Sequence, residues 1–132
     1  MKINIGDTFS KKRTVTHELI CAFAEISGDY NPIHLDEEFA KNTRFGKRIA
    51  HGMISGAFIS AVLGQEMSER SIVYLSQTMT FTAPVYVDDT ITTTATVTAI
   101  RVDKGIITLD ITCRNQTDDI TLTGEAKIML LG

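Results

Sequence analysis

The second half of the chain alternates apolar and polar residues, a pattern typical of strands that bury one face of a sheet. The alternating stretches are Ile72–Phe81, Ile91–Ala99, Ile107–Cys113 and Ile120–Leu130. They are rich in β-branched residues, which favour strands. Turn-forming residues at Asp103–Gly105 and Asn115–Asp119 separate the last three stretches. The pattern predicts an antiparallel sheet whose last three strands are joined by hairpins.

The first half of the chain has a helical spacing instead. Apolar residues recur every three or four positions at Leu19, Ile20, Phe23, Ala24 and Ile26. Thr16 is a suitable N-cap and Gly28 a suitable stop, so we expect one amphipathic helix between them. Residues 8–14 are predicted to be extended, and Asp36 is predicted to cap a short helix that ends at Lys41.

An almost uncharged stretch runs from Ile54 to Met67. A helix that is apolar on every side is buried on every side. In a chain of 132 residues the sheet must then wrap around this helix. The prediction is an α+β fold, with one domain over residues 1–132 and no linker or repeat.

The candidate chemistry lies between Ser27 and His34. Gly28 and Pro32 make this segment a stiff loop, which we expect to contain neither regular helix nor strand. Asp29 and His34 can together activate a water and return a proton, as the addition of water to a polarised double bond requires. Alone, an aspartate in a turn usually caps the backbone. The joint occurrence of the two groups favours catalysis.

The composition excludes several classes of function. A net charge of −3 argues against nucleic acid as the main partner. The two cysteines, Cys21 and Cys113, are interpreted as buried thiols in a reducing compartment. The first residues do not have the pattern of a signal peptide, and no stretch is long and apolar enough to span a membrane. We therefore expect a cytoplasmic protein.

Three motifs resemble those of the MaoC-like, or (R)-specific enoyl-CoA hydratase, family. The family pattern aromatic-x-x-x-S-G-D-x-N-P-x-H corresponds to Phe23–His34. The pattern A-H-G-M, which opens the central helix, corresponds to Ala50–Met53. The pattern F-x-x-P-V-x-x-G-D corresponds to Phe81–Asp89. Asp88 stands at the position of the glycine, so we expect a local change in this turn. The resemblance covers essentially the whole chain and implies a single hot-dog fold, an antiparallel sheet around a long central helix, that forms a homodimer.

The resemblance also implies an activity, the reversible hydration of a trans-2-enoyl-CoA to an (R)-3-hydroxyacyl-CoA. Asp29 and His34 are then catalytic. Asp29 removes a proton as water attacks C3 and His34 donates a proton at C2, although the sequence leaves the two roles interchangeable. The backbone N–H of Gly52, at the helix N-terminus, is expected to act as an oxyanion hole for the enolate. Gly52 can also serve simply to let the chain turn into the helix.

Four residues have supporting roles in this interpretation. Asn31 is expected to brace the loop. Ser60 either orients His34 or the water, or is a small buried residue that bonds to its own helix. Leu63 and Ile128 correspond to the acyl pocket of the family, and core packing explains both equally well.

No organic cofactor is expected, because conjugation with the thioester already activates the double bond. No metal is expected either, because His34 and His51 lack metal-ligand spacing with a carboxylate, and His51 is given a structural place before the helix. The expected partner is an acyl thioester of coenzyme A or acyl carrier protein. A basic loop either contacts its phosphates or is simply solvated, and it contains Lys41, Arg44, Lys47 and Arg48.

Two other functions on the same fold remain alternatives. In an acyl-CoA thioesterase, an aspartate would activate water against the thioester carbonyl, but the spacing of Asn31, Pro32 and His34 argues against it. In a non-catalytic acyl-CoA-binding subunit, the chain would have no chemical need for both Asp29 and His34. The acyl chain length and the pathway, whether polyhydroxyalkanoate supply, β-oxidation or fatty acid synthesis, remain open.

Overall fold

The computed structural model describes residues 2–67 and 71–131. Its elements are β1 (Thr8–Thr14), α1 (His17–Ser27), α2 (Pro32–Leu35), α3 (Glu37–Lys41), α4 (Gly52–Ala61) with a π-helical turn (Val62–Glu66), β2 (Ile72–Phe81), β3 (Thr90–Arg101), β4 (Ile106–Arg114) and β5 (Ile120–Leu130). The strands predicted from alternation are all present.

All five strands form one antiparallel sheet in the order β1-β3-β4-β5-β2. In its centre, Leu109 pairs with Val97 on one side and with Ala126 on the other. These three side chains are buried, and they join the core against the buried side of α4. The predicted α+β arrangement, in which an antiparallel sheet packs against the apolar helix, is therefore confirmed. Strands β1 and β2 are its two edges.

Strand β2 lies very close to β5 at Gly124. A Cβ atom on Gly124 would lie 2.0 Å from the carbonyl oxygen of Thr78. Since that neighbour is backbone, it cannot rotate away. Only glycine fits this crossing of the two strands.

Helix α4 begins at Gly52, but the prediction that this helix is buried on every side is wrong. Its buried side carries Ile54, Ser55, Phe58 and Ile59. Its other side is exposed and carries Met53, Ala57 and Ser60. A single sheet covers only one side of the helix, so the small residues of α4 form an open surface in this chain.

The helix ends follow the predicted capping residues. Thr16 Oγ1 accepts the Leu19 N–H at 3.1 Å, and Gly28 closes α1 with a φ of 78°. Asp36 caps α3 as predicted. The expectation of a loop without helix is wrong at Pro32, which begins the one-turn α2. Proline suits the first position of a helix because its missing N–H would have no partner there.

The two cysteines differ in exposure. Cys113 is buried in β4 as predicted, but Cys21 is exposed on α1. The buried stripe of α1 runs through Ile20 and Ala24, and Cys21 lies outside it. Within the described residues, no helix is long and apolar enough to cross a membrane.

The turn before β3 contains Asp88 at the motif position of a glycine. Asp88 has a φ of 72°, in the left-handed region that favours glycine. The turn therefore adopts a glycine-type backbone conformation with an aspartate in it.

Candidate active site

Asp29 is fixed in the loop between α1 and α2 by two local hydrogen bonds. Its N–H donates to Ser27 Oγ at 3.1 Å, and its Oδ1 accepts the Asn31 N–H at 3.1 Å. Asn31 Oδ1 in turn accepts the Ile33 N–H at 3.2 Å and so caps α2. These contacts leave the other carboxylate oxygen of Asp29, Oδ2, available for chemistry.

His34 lies in α2 with its ring turned toward Asp29. Its Nδ1 is 2.7 Å from the carbonyl oxygen of Ile49. A carbonyl only accepts, so Nδ1 carries the proton and a neutral ring has its lone pair on Nε2. That Nε2 lies 3.9 Å from Asp29 Oδ2. His34 is 8% exposed while the Asp29 side chain is 49% exposed, so the pair opens to solvent on the side of Asp29.

Burial lowers the pKa of His34 below its ordinary value of 6.5. The hydrogen bond to Ile49 raises this pKa, the neighbouring His51 lowers it, and Asp29 raises it, but burial is the largest effect. The neutral form of His34 is therefore the major one at pH 7. A separation of 3.9 Å is too long for a direct hydrogen bond between Asp29 and His34, whereas one water can donate to both at about 2.8 Å each.

The partners of His34 come from the segment 49–51, which precedes α4. The Ile49 N–H donates to Ile33 O at 3.3 Å, and the Ala50 N–H donates to Val85 O at 2.7 Å. Ile49 also forms a bridge with Tyr86. The segment is thus held between α2 and the chain that leads to β3. Sequence reasoning missed Ile49, because a backbone carbonyl has no residue signature.

His51 packs directly behind the catalytic candidates. It is 3% exposed, and its Nε2 lies 2.9 Å from the carbonyl oxygen of Asp29. Its ring stacks on His34 with centroids 3.9 Å apart and planes 28° apart, while Phe23 packs nearby at 5.0 Å. His51, from the second motif, therefore contacts both candidate catalytic residues of the first motif, Asp29 and His34.

Gly52 is the first residue of α4. The His51 side chain does not cap this helix, and within residues 2–67 and 71–131 no acceptor takes the Gly52 N–H. A free N–H at a helix start favours negative charge. A Cβ on Gly52 would lie 2.8 Å from the ring of Phe81, so a larger residue here would have to displace that exposed ring.

Comparison with known proteins decides the family. The MaoC-like domain matches residues 3–118. The 3-hydroxybutyryl-CoA dehydratase of Methylorubrum extorquens is 40% identical over 96% of this chain and 80% of its own length. The (R)-specific enoyl-CoA hydratase of Rhodospirillum rubrum is 40% identical over 97% of this chain and 88% of its own. This chain belongs to the MaoC-like family.

The solved structures agree with the sequence relatives. The (R)-hydratase of A. caviae involved in PHA biosynthesis superposes with a TM-score of 0.95 at 36% identity, covering 98% of both chains. The family and the hot-dog fold implied by the three motifs are both confirmed.

The fold of this MaoC-like chain also brings together three potential metal ligands that are separated in sequence. One ligand atom from each of Asp29, His34 and His51 lies within 4.8 Å of the others. The sequence argument from spacing overlooked this cluster. An imidazole binds a metal along a lone pair in its own ring plane, and the nearly parallel planes of His34 and His51 do not converge on one ion. The cluster does not fit a metal, and the expected absence of one stays a prediction.

Three further residues predicted for this MaoC-like chain, Ser60, Leu63 and Ile128, make no contact with other described residues that defines a role in the site. Ser60 is exposed on α4 and its hydroxyl makes no hydrogen bond within the described part of the chain, so the alternative of a buried serine is wrong. Leu63 and Ile128 are fully buried in the core. An open groove of about 290 Å³ lies elsewhere, between α4 and β2, and is lined by Met53, Gly56, Tyr74, Leu75, Ser76, Gln77 and Met79.

The basic loop is occupied by contacts within the chain. Lys41 pairs with Glu38 at 2.8 Å, and Arg44 and Lys47 lie over the rings of Phe45 and Tyr86. The guanidinium of Arg48 is buried, with its two terminal nitrogens each 3.1 Å from His17 Nδ1. These contacts favour a structural interpretation of Arg48 over direct contact with phosphate.

Proposed function

We propose that this chain catalyses the reversible hydration of a trans-2-enoyl thioester to an (R)-3-hydroxyacyl thioester. The observation that carries the proposal is the distance of 3.9 Å between Asp29 Oδ2 and His34 Nε2, which lets one water bind to both atoms. In the neutral ring, Nε2 carries the lone pair that faces this water. Relatives that are 40% identical and named as a hydratase and a dehydratase of CoA thioesters support the same reaction.

In this mechanism the neutral His34 is the base for hydration. One water lies between Asp29 and His34, and its oxygen bonds to C3 while Nε2 takes one of its protons. The imidazolium then returns that proton to C2 on the same face of the substrate. Asp29 orients the water through its second proton and stabilises the transient charge on His34. One water is consumed, and both catalytic groups end in their starting states.

The sequence left open which of Asp29 and His34 is the base and which is the acid, and we assign the base for hydration to His34. A histidine whose Nε2 carries no proton at pH 7 cannot first donate from that atom. His34 becomes an acid only after it has accepted a proton. Dehydration runs the same steps backwards, with neutral His34 removing the C2 proton.

Negative charge collects on the thioester oxygen when the enolate forms. The free N–H of Gly52 at the start of α4 is the proposed donor to that oxygen. One such donor stabilises a transition state by roughly 3 kcal/mol. Conjugation with the thioester makes the double bond reactive, so the proposal requires no organic cofactor and no metal.

The proposed partners are an acyl thioester and a second copy of the chain. Strand β2 is a sheet edge, and its exposed apolar residues adjoin the open side of α4. They include Val73, Leu75 and Phe81. A two-fold dimer would cover this surface and complete the walls of the groove beside α4. Leu63 and Ile128 remain proposed positions for the end of an acyl chain.

The test follows the loss of enoyl absorbance with trans-2-enoyl-CoA substrates of increasing chain length, and with the same acyl groups on acyl carrier protein. We expect turnover to the (R)-3-hydroxy product. A saturated acyl-CoA of matched length is the control, because free thiol released from it would indicate a thioesterase instead. Binding of enoyl-CoA without turnover would indicate a non-catalytic subunit. Light scattering on the same sample measures whether the chain is a dimer.

A further inference from the structure

We propose that His51 is a positioning residue that holds Asp29 and His34 in register with each other. The proposal deepens the hydratase function above and rests on it for its kinetic consequences. Its geometric part states that the His51 side chain fixes the Asp29 backbone and the His34 ring. This part is tested independently of turnover.

The first contact is with the backbone of Asp29. His51 Nε2 lies 2.9 Å from the Asp29 carbonyl, so Nε2 carries a proton and donates it. The other contacts of Asp29 come from Ser27 and Asn31 within its own loop. The bond from His51 ties the Asp29 peptide to the residue that precedes α4, across 22 residues of sequence.

The second contact is with the ring of His34. The Nδ1–H of His34 is held by one hydrogen bond to Ile49, which fixes one edge of the ring. A ring held at one edge can still tilt about that bond. The face of His51, stacked at a centroid distance of 3.9 Å, blocks this tilt and keeps Nε2 aimed at Asp29.

The choice of histidine for this position points to the same role. His51 Nδ1 is buried and has no hydrogen-bond partner in the described part of the chain. Burying an unpaired polar atom costs free energy. A phenylalanine between Phe23 and His34 would pack without that cost. An apolar ring would have no N–H to donate to the Asp29 carbonyl. Packing alone therefore does not account for the histidine.

Two variants separate the two contacts. His51→Phe keeps a ring against His34 and removes the hydrogen bond, whereas His51→Gln keeps an N–H near the position of Nε2 and removes the ring. Lys104→Gln is the control, because Lys104 is exposed in the turn between β3 and β4 and lies outside the site. Each protein is measured for kcat and KM with crotonyl-CoA and for its melting temperature.

We expect kcat to fall by about tenfold to a hundredfold in His51→Phe, with KM changed less than about threefold and with the melting temperature equal to or above that of the unmodified chain. His51→Gln is expected to recover part of kcat while melting lower, because it restores the bond to Asp29 but not the packing. The Lys104→Gln control should keep kcat within about twofold.

The same variants are then crystallised, and the separation of Asp29 Oδ2 from His34 Nε2 is compared with 3.9 Å. Movement of the Asp29 peptide in His51→Phe, or of the His34 ring in His51→Gln, supports positioning even if the unmodified chain shows no hydration, a result that would remove only the proposed function. Unchanged geometry together with an unchanged kcat in both variants would overturn the proposal. If His51→Phe fails to fold, His51→Gln decides the question through the same two measurements.

Discussion

In the centre of the sheet, strands β3, β4 and β5 pack buried aliphatic side chains against α4, whereas the corner that holds Asp29 and His34 is built from polar contacts. We call residues 27–34 and 49–51 the polar corner. Its side chains bond mainly to backbone atoms, such as His34 to the Ile49 carbonyl and His51 to the Asp29 carbonyl. The centre of the sheet, by contrast, contains residues such as Ile107 and Leu109 that are fully buried.

The two regions differ in what they contribute, because the sheet mainly stabilises the fold and the polar corner positions the groups for chemistry. Apolar burial in the sheet supplies most of the free energy of folding, since it scales with the area removed from water. The polar corner contributes less to folding, but it fixes which nitrogen carries a proton and where a water can bind. Substitutions in the sheet are therefore expected to change the free energy of unfolding, and substitutions in the polar corner to change kcat.

The largest expected effect is on the activity of the polar corner. His34→Gln removes the only proposed base while keeping a polar side chain of similar reach. The value of kcat/KM for hydration of crotonyl-CoA should fall by about a thousandfold, the usual order for loss of a proton-transfer group. The melting temperature should not fall by more than a few degrees. A rate within tenfold of the unmodified chain would remove His34 from the mechanism.

The matching change in the sheet is Gly124→Ala. The added Cβ would meet the Thr78 carbonyl at 2.0 Å, so the strands must separate. Urea unfolding should show a loss of at least about 3 kcal/mol in the free energy of unfolding. Gly64→Ala is the control, because an added Cβ there meets nothing within 4 Å. Equal unfolding midpoints for the two variants would contradict the close approach of β2 to β5.

A smaller effect is expected from pH. The pKa of His34 is lowered in the folded chain, so the unfolded chain binds more protons as the pH falls below about 6.5. The contribution of His34 to stability is therefore complete above its unfolded pKa and is lost as the pH falls through its folded pKa. The free energy of unfolding between about pH 7.5 and about pH 5 should fall more for the unmodified chain than for His34→Gln. Parallel curves would show that His34 is not protected from protonation.

The smallest effect is expected from Ser60→Ala. Ser60 is exposed and forms no hydrogen bond with the polar corner within the described residues, so it is not required for its geometry. Hydration of crotonyl-CoA should fall by less than about tenfold, well below the loss in His34→Gln. A loss as large as that of His34→Gln would give Ser60 a primary role, acting through substrate, water or a second copy of the chain.

Local signals predicted most of the fold. The alternation of apolar residues predicted the four later strands, and the capping residues Thr16, Gly28 and Asp36 predicted helix ends. Alternation and capping act between near neighbours, so they can be read directly from the sequence. The resemblance to three family motifs predicted the hot-dog arrangement, which the sequence relatives and solved structures confirm.

Long-range contacts were not predictable in the same way. The pairing of His34 with the Ile49 carbonyl, and the stacking of His34 on His51, join segments that are about fifteen residues apart and depend on how α2 packs against residues 49–51. The open face of α4 was missed because an apolar helix pattern does not show how much of the helix its own sheet covers. The strands and helix ends could be predicted from local patterns, and Asp29 and His34 from their motif, whereas the long-range contacts that orient these two residues are visible only in the folded chain.

The most direct test of the central claim is the rate of crotonyl-CoA hydration by Asp29→Asn. Asparagine preserves the shape of the loop and an oxygen to accept the Asn31 N–H. It removes the negative charge that we propose orients the water beside His34. The account predicts a loss of about a hundredfold or more in kcat/KM, with the melting temperature and the oligomeric state unchanged. Near-complete activity in Asp29→Asn would contradict a water shared by Asp29 and His34.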